Sequence, residues 1–248
     1  MTTDARITAL IEGLLEGHPE RRVAPARFGG ERNYLRALMN IQAPGSLPAE
    51  WFEVQDQLLR EENEARAITP PLDQRISIWQ GDITRLRVDG IVNAANSALL
   101  GCFGPLHYCI DNAIHSAAGL QLRNECAEIM QGAHEPTGQA RVTSAWNLPS
   151  KYVLHTVGPI VNGTLQPEHE ELLAQSYRSV LMAALEHDMH SLALCCVSTG
   201  VFGFPAQRAA KIAVAEVRAF CASTPAPEHI IFSVFSDADR EIYEELLR

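Results

Sequence analysis

The chain has 248 residues, 46% of them hydrophobic and 20% charged, which is enough apolar content for one large domain or an ordinary domain with an extension. Lys and Arg number 20 against 30 Asp and Glu, a formal net charge of −10. That excess excludes non-specific capture of a nucleic-acid backbone, which needs clustered cations, but leaves open a small phosphate-bearing ligand held by backbone N–H groups.

No apolar run is long enough to cross a bilayer, so no membrane association is expected. The opening segment is interrupted by Asp4, Arg6 and Glu12 and lacks the pattern of a secretory leader. Six cysteines are too few for a disulfide scaffold in a chain of this length. A reducing, cytoplasmic location is therefore expected, where clustered cysteines point to metal binding or catalysis.

Residues 1–70 read as a helical N-terminal extension. Ile7, Leu10, Ile11, Leu14 and Leu15 recur at helical spacing up to Gly17 and Pro19. Leu35, Leu38 and Met39 mark a second helix, closed by Pro44 and Gly45. Pro48 opens a third, with Trp51, Phe52, Leu58 and Leu59 on one side and Arg60-Glu61-Glu62 beyond. The stripes predict an extension docked on the main body and outside its ligand pocket; a dedicated partner-binding domain is the sharper alternative. Ile68-Thr69-Pro70-Pro71 breaks the pattern and sets the boundary, with the body at 71–248.

Beyond the boundary strands alternate with helices, which predicts an α/β body with a sheet covered on both faces. Strands are expected at 75–80, 90–93, 141–145, 152–157, 192–197 and 229–235. Helices are expected at 168–187, from Pro205 to about Ala222, and at 237–248.

In such folds ligands bind in loops beyond the carboxyl ends of the strands. Asn93-Ala94-Ala95-Asn96 follows a buried strand and offers donors and acceptors to a sugar, or simple Asx-turn chemistry. Ser198-Thr199-Gly200-Val201-Phe202-Gly203-Phe204-Pro205 lies between strand and helix, and its glycines let backbone N–H groups approach a diphosphate. It is not a Walker loop, because no Gly-Lys-Ser/Thr follows.

The third loop holds Cys102, His107 and Cys109 within eight positions. Residues two apart point to opposite sides of a helix, so these side chains converge only in a turn, and the next helix should begin near or after Cys109. The set suits zinc. On spacing alone a catalytic zinc with an open position, a structural zinc closed by a distant residue, and metal-free thiols are equally open. The remaining candidates read as structural: Cys126, Cys195, Cys196 and Cys221 as core or helix residues, His155 as a satisfied core histidine, His115 as a packing or capping residue, and His187 and His190 as helix-end residues.

Taken together, Gly81-Asp82-Ile83-Thr84, Ile91 to Asn96, Ala113 to Gly119, His155 to Pro159 and Ser198 to Pro205 resemble the ordered motifs of the macrodomain, a three-layer α/β/α sandwich with a mixed sheet that binds ADP-ribose. The resemblance covers roughly residues 75–248. The Cys102–Cys109 loop, longer than the usual glycine run, and the helical extension resemble the zinc-dependent bacterial and fungal branch. That resemblance implies Zn2+ on Cys102, His107 and Cys109. It implies a hydrolase that reverses ADP-ribosylation of proteins at Asp/Glu esters, releasing ADP-ribose.

The same resemblance implies the site residues. Asp82 and Ile83 meet adenine, with Phe235 stacked on it. Ser198, Thr199, Gly200, Val201, Phe202 and Gly203 hold the diphosphate. Asn96 contacts the distal ribose, and with Asp111 it forms the catalytic pair. Two other classes stay open: an ADP-ribose reader with a structural zinc, and an O-acetyl-ADP-ribose deacetylase. A fourth protein ligand on zinc would favour the reader; an open position facing the ribose would favour the hydrolase.

Overall fold

The computed structural model of the chain describes residues 1–248. The N-terminal part folds as three helices: α1 (Thr3–Leu15), α2 (Glu31–Ile41) and α3 (Ala49–Arg66). Thr2 caps α1 by accepting the Ala5 N–H. The predicted stripes meet one another: Leu10 and Leu14 of α1, Leu35 and Leu38 of α2, and Leu58 and Leu59 of α3 are buried in one cluster. Each such side chain contributes about 1.5–3 kcal/mol of apolar burial. Trp51 closes the cluster, its indole donating to the Leu10 carbonyl at 3.1 Å. Gly13 makes room for it, since a Cβ there would lie 2.5 Å from the indole. Leu120, from the body, is also part of this cluster.

The body is built on six strands: β1 (Ile76–Gln80), β2 (Gly90–Ala94), β3 (Ala140–Ser144), β4 (Tyr152–Thr156), β5 (Ser191–Leu194) and β6 (His229–Val234). Their order is β1-β6-β5-β2-β4-β3, parallel throughout except the β3–β4 pair. Helices α4 (Ile110–Ala118) and α5 (Leu120–Met130) pack on β2 and β3, with α2 and α3 against α4. Helices α6 (Pro167–Glu186), α7 (Ala206–Ser223) and α8 (Asp237–Leu247) pack side by side on the sheet. This is a mixed sheet between helical layers. Its inner strands are buried on both faces, as β5 shows with all four residues buried.

One strand is shorter than its composition predicts. The apolar run 192–197 leaves the ladder after Leu194. The reason is Tyr177 of α6, whose buried hydroxyl donates to the Cys195 carbonyl at 3.2 Å and accepts the Val197 N–H at 3.3 Å, replacing strand partners. Cys195 is buried as expected, but both it and Cys196 lie in the loop, and Cys196 reaches the ligand cleft. Cys126 lies in α5, which Gly119, at φ +99°, separates from α4.

Candidate active site

A cleft of about 800 Å³ opens beyond the carboxyl ends of the parallel strands. Its walls come from the loops after β1, β2, β5 and β6 and from the Cys102–Cys109 loop.

At one end lie Asp82, Ile83 and Phe235. Asp82 caps a short 3-10 turn (Ile83–Arg85): its Oδ1 accepts from the Thr84 N–H at 3.0 Å and from the Thr84 hydroxyl at 2.7 Å. Its Oδ2 is 3.9 Å from Arg66 Nη1 of the extension. Phe235 is 58% exposed at the end of β6, which leaves a ring face for a ligand. Tyr108 meets it edge-on, with ring centroids 5.7 Å apart. Sequence reasoning passed over Tyr108; its signal was an aromatic residue between two candidate metal ligands.

The middle of the cleft is the loop after β5. Ser198, Thr199, Gly200, Val201 and Phe202 line it. Ser198 adopts φ +65°, and its buried hydroxyl has no hydrogen-bond partner. Gly158 allows this packing, because a Cβ there would fall 2.1 Å from the Ser198 hydroxyl. Gly203 departs from expectation and does not line the cleft. At φ +69° its N–H donates to the Gly200 carbonyl at 3.0 Å, so it closes the turn behind the exposed amides.

The far end brings together Cys102, His107 and Cys109, whose ligand atoms all lie within 4.8 Å of one another. The turn that aims them runs through Gly104, whose carbonyl accepts the His107 N–H at 3.1 Å, and through Leu106 at φ +55°. Helix α4 begins just after Cys109, which is its N-cap. The set fits zinc on geometry: Cys102 Sγ and His107 Nδ1 are 3.5 Å apart, and two such atoms on a tetrahedral zinc stand about 3.6 Å apart given ordinary bond lengths. No further Cys, His, Asp or Glu joins the three.

Asp111 also lines this end, in the first turn of α4. It is buried, and its carboxylate is gripped by two amides. Asn93 Nδ2 donates to Oδ1 at 2.8 Å, and Asn96 Nδ2 to Oδ2 at 3.3 Å. Burial pushes its pKa up to about 6, against the opposing pull of the Asn93 bond, the Arg123 charge and the Asn96 bond. Asn96 is itself fixed by donating to the Gly101 carbonyl at 3.0 Å and accepting the Ala98 N–H at 3.1 Å. Asn93, expected to face a sugar or to form an Asx turn, is wholly buried; its side chain links Asp111 to His155 Nδ1 at 3.1 Å.

Beside Asp111 lies a second group, His115, Cys126 and His155, with ligand atoms within 4.8 Å of one another and all three residues buried. His155 is a satisfied core histidine, bonded to Asn93 and, through Nε2, to the Thr143 hydroxyl at 2.9 Å. His115 is packed in the same buried group. Its Nε2 is 3.6 Å from Asp111 Oδ1, and neither ring nitrogen has a hydrogen-bond partner. Burial, then the neighbouring His155 and Arg123, holds His115 well below the usual imidazole range, hence neutral.

The expectation that the extension stays outside the ligand pocket is overturned. Arg36 of α2 lines the cleft. It also donates to Asn112 Oδ1 at 2.7 Å, on the helix that carries Asp111. The stripes of α1–α3 reveal docking faces; a single long side chain projecting from the rim of such a face leaves no periodic signal.

A family model for the macro domain matches residues 92–213. The chain is 46% identical to the "Protein-ADP-ribose hydrolase" of Treponema medium, with 100% of each chain covered. It is 40% identical to the protein of the same name in Staphylococcus aureus (strain MSSA476), covering 97% of this chain and 94% of that one. Among solved structures it is similar to the Trypanosoma brucei macrodomain in complex with ADP-ribose, at TM-score 0.66 and 29% identity, covering 86% of this chain and 95% of that one. The chain belongs to the macrodomain family. Within it, these two relatives, matched over 100% and 94% of their length, are named as hydrolases.

Proposed function

We propose that this chain is a zinc-dependent protein-ADP-ribose hydrolase that releases ADP-ribose from Asp/Glu side-chain esters. The observation that carries this reading is one continuous cleft with an aromatic and Asp82 at one end and, at the other, a three-ligand metal set beside a carboxylate held by two asparagines. The names of its relatives support the activity.

Asp82 and Ile83 face the adenine edge and Phe235 its ring, while the amides of 199–202 take the diphosphate. Asn96 then meets the distal ribose. Cys102, His107 and Cys109 would hold zinc; when bound it supplies Lewis-acid polarisation at that end of the cleft. Asp111 accepts a proton from water or from a ribose hydroxyl, held on line by Asn93 and Asn96. One water is consumed, and a free carboxyl group and free ADP-ribose are returned. Three ligands without a fourth favour this reading over a reader with a closed structural zinc.

The test is turnover of proteins ADP-ribosylated on acidic or on serine side chains, and of O-acetyl-ADP-ribose, with and without chelator. Release from acidic esters that stops on zinc removal and returns with zinc is expected. Asp111→Asn should cut the rate by about 10²–10⁴-fold with zinc retained. Full activity after chelation removes zinc from the reaction; faster turnover of the small O-acetyl ester moves the substrate class.

A further inference from the structure

The contacts between the extension and the metal loop are made by the buried Asn40 and the half-buried Arg36, and they converge on the backbone that shapes the loop. Leu106, in left-handed conformation immediately before His107, donates its N–H to Asn40 Oδ1 of α2 at 3.0 Å. Asn40 is almost wholly buried, and its Nδ2 donates to the Ser116 hydroxyl of α4 at 3.0 Å, so its amide can face only one way. Asn112 sits on the other side of the loop. Its Nδ2 donates to the Gly104 carbonyl at 2.9 Å and the Cys102 carbonyl at 3.4 Å, and its own N–H points at Cys109 Sγ at 3.4 Å. What orients that amide is Arg36, whose guanidinium donates to Asn112 Oδ1 at 2.7 Å and to the Ser116 hydroxyl at 3.2 Å. Two residues of the extension therefore fix, at one remove or directly, backbone at Cys102 and beside His107.

We infer that helix α2 is a positioning element for the metal loop, acting through Asn40 on Leu106 and through Arg36 on Asn112, and that metal affinity depends on it. This rests on the zinc reading above. Hydrogen-bonded partners behind metal ligands commonly set affinity by about 10–100-fold, because an unheld ligand must be ordered when the metal binds. Arg36 also lines the cleft, so Asn40, which does not, is the discriminating position.

The experiment uses the full chain. Zinc affinity is measured by competition with a chromogenic chelator, exchange of the Leu106 amide hydrogen is followed in the zinc-free protein, and ADP-ribose affinity is taken by calorimetry on the same preparations. Asn40→Ala should weaken zinc by about 10–100-fold and unprotect the Leu106 amide, with ADP-ribose affinity changed less than about twofold. Arg36→Ala should weaken zinc with Leu106 still protected, and it carries the test if Asn40→Ala does not fold. Native zinc affinity in folded Asn40→Ala and Arg36→Ala overturns the inference while the zinc reading stands. A native chain that takes up no zinc sinks the zinc reading and this inference with it.

Discussion

Cys102, His107 and Cys109, and His115, Cys126 and His155, are two triads of the same residue types in one molecule, and in each the ligand atoms lie within 4.8 Å of one another. They differ in surroundings. The first lines an open cleft on a loop that leaves its ligand atoms facing one another. The second is sealed among the sheet and helices, where His155 already spends both nitrogens on Asn93 and Thr143, and burial pushes the Cys126 thiol up to about 12. A thiol sealed in a place no ion can reach from solvent makes a core contact rather than a ligand. Proximity of donors does not by itself define a metal centre; access from solvent counts as well.

The sharpest way to break that comparison is His107→Ala. It should remove bound zinc and lower turnover by more than about 100-fold while the fold persists, since His107 is exposed. Zinc content by atomic emission and turnover on the same sample check it, and zinc retained at the native level would move the metal elsewhere. His155→Ala should do the opposite. Zinc content should hold while stability falls by about 2–4 kcal/mol through a buried cavity and two lost hydrogen bonds, read from the urea midpoint. Phe235→Ala, a member of neither triad, should weaken ADP-ribose by about 1–3 kcal/mol in a calorimetric titration.

Acid sharpens the contrast further. Burial holds the His155 pKa down to about 3, against an ordinary value of 6.5. The unfolded chain takes up a proton below pH 6.5 that the native chain refuses, so the stability this group carries is full above that pH and is lost as pH falls toward 3. His115, also depressed by burial, acts in the same direction. Between pH 6 and pH 4 the native protein should lose stability with a slope that drops by about one proton, or about 1.4 kcal/mol per pH unit, in His155→Ala.

Much of this was legible in the chain because local patterns carried it. The apolar stripes at Leu10, Leu35 and Leu58 defined the extension helices, and the two-residue gap between His107 and Cys109 required a turn before α4. What was not legible depended on partners distant in sequence. The end of β5 is set by Tyr177, 18 residues from Cys195. Asn93 reads as a turn former until the fold brings Asp111 and His155 to its amide. Arg36 and Asn40 look like surface residues of a helix until α4, 76 residues on, lies against them. Gly203 carried the same glycine signal as Gly200, but its dihedral, not its composition, turns it away from the cleft.

Leu120 belongs to the hydrophobic cluster of the extension, although it opens a helix of the body. Next to it the buried Arg123 donates to the Met39 carbonyl of the extension at 2.9 Å and to the Leu100 carbonyl of the body at 2.7 Å. Separating the two parts would strip a leucine and strand a guanidinium in the same stroke, each an expense that neither fragment recovers alone. The cooperativity of unfolding is thereby written into one turn of α5: the small bundle and the sheet are expected to melt in a single transition rather than one after the other.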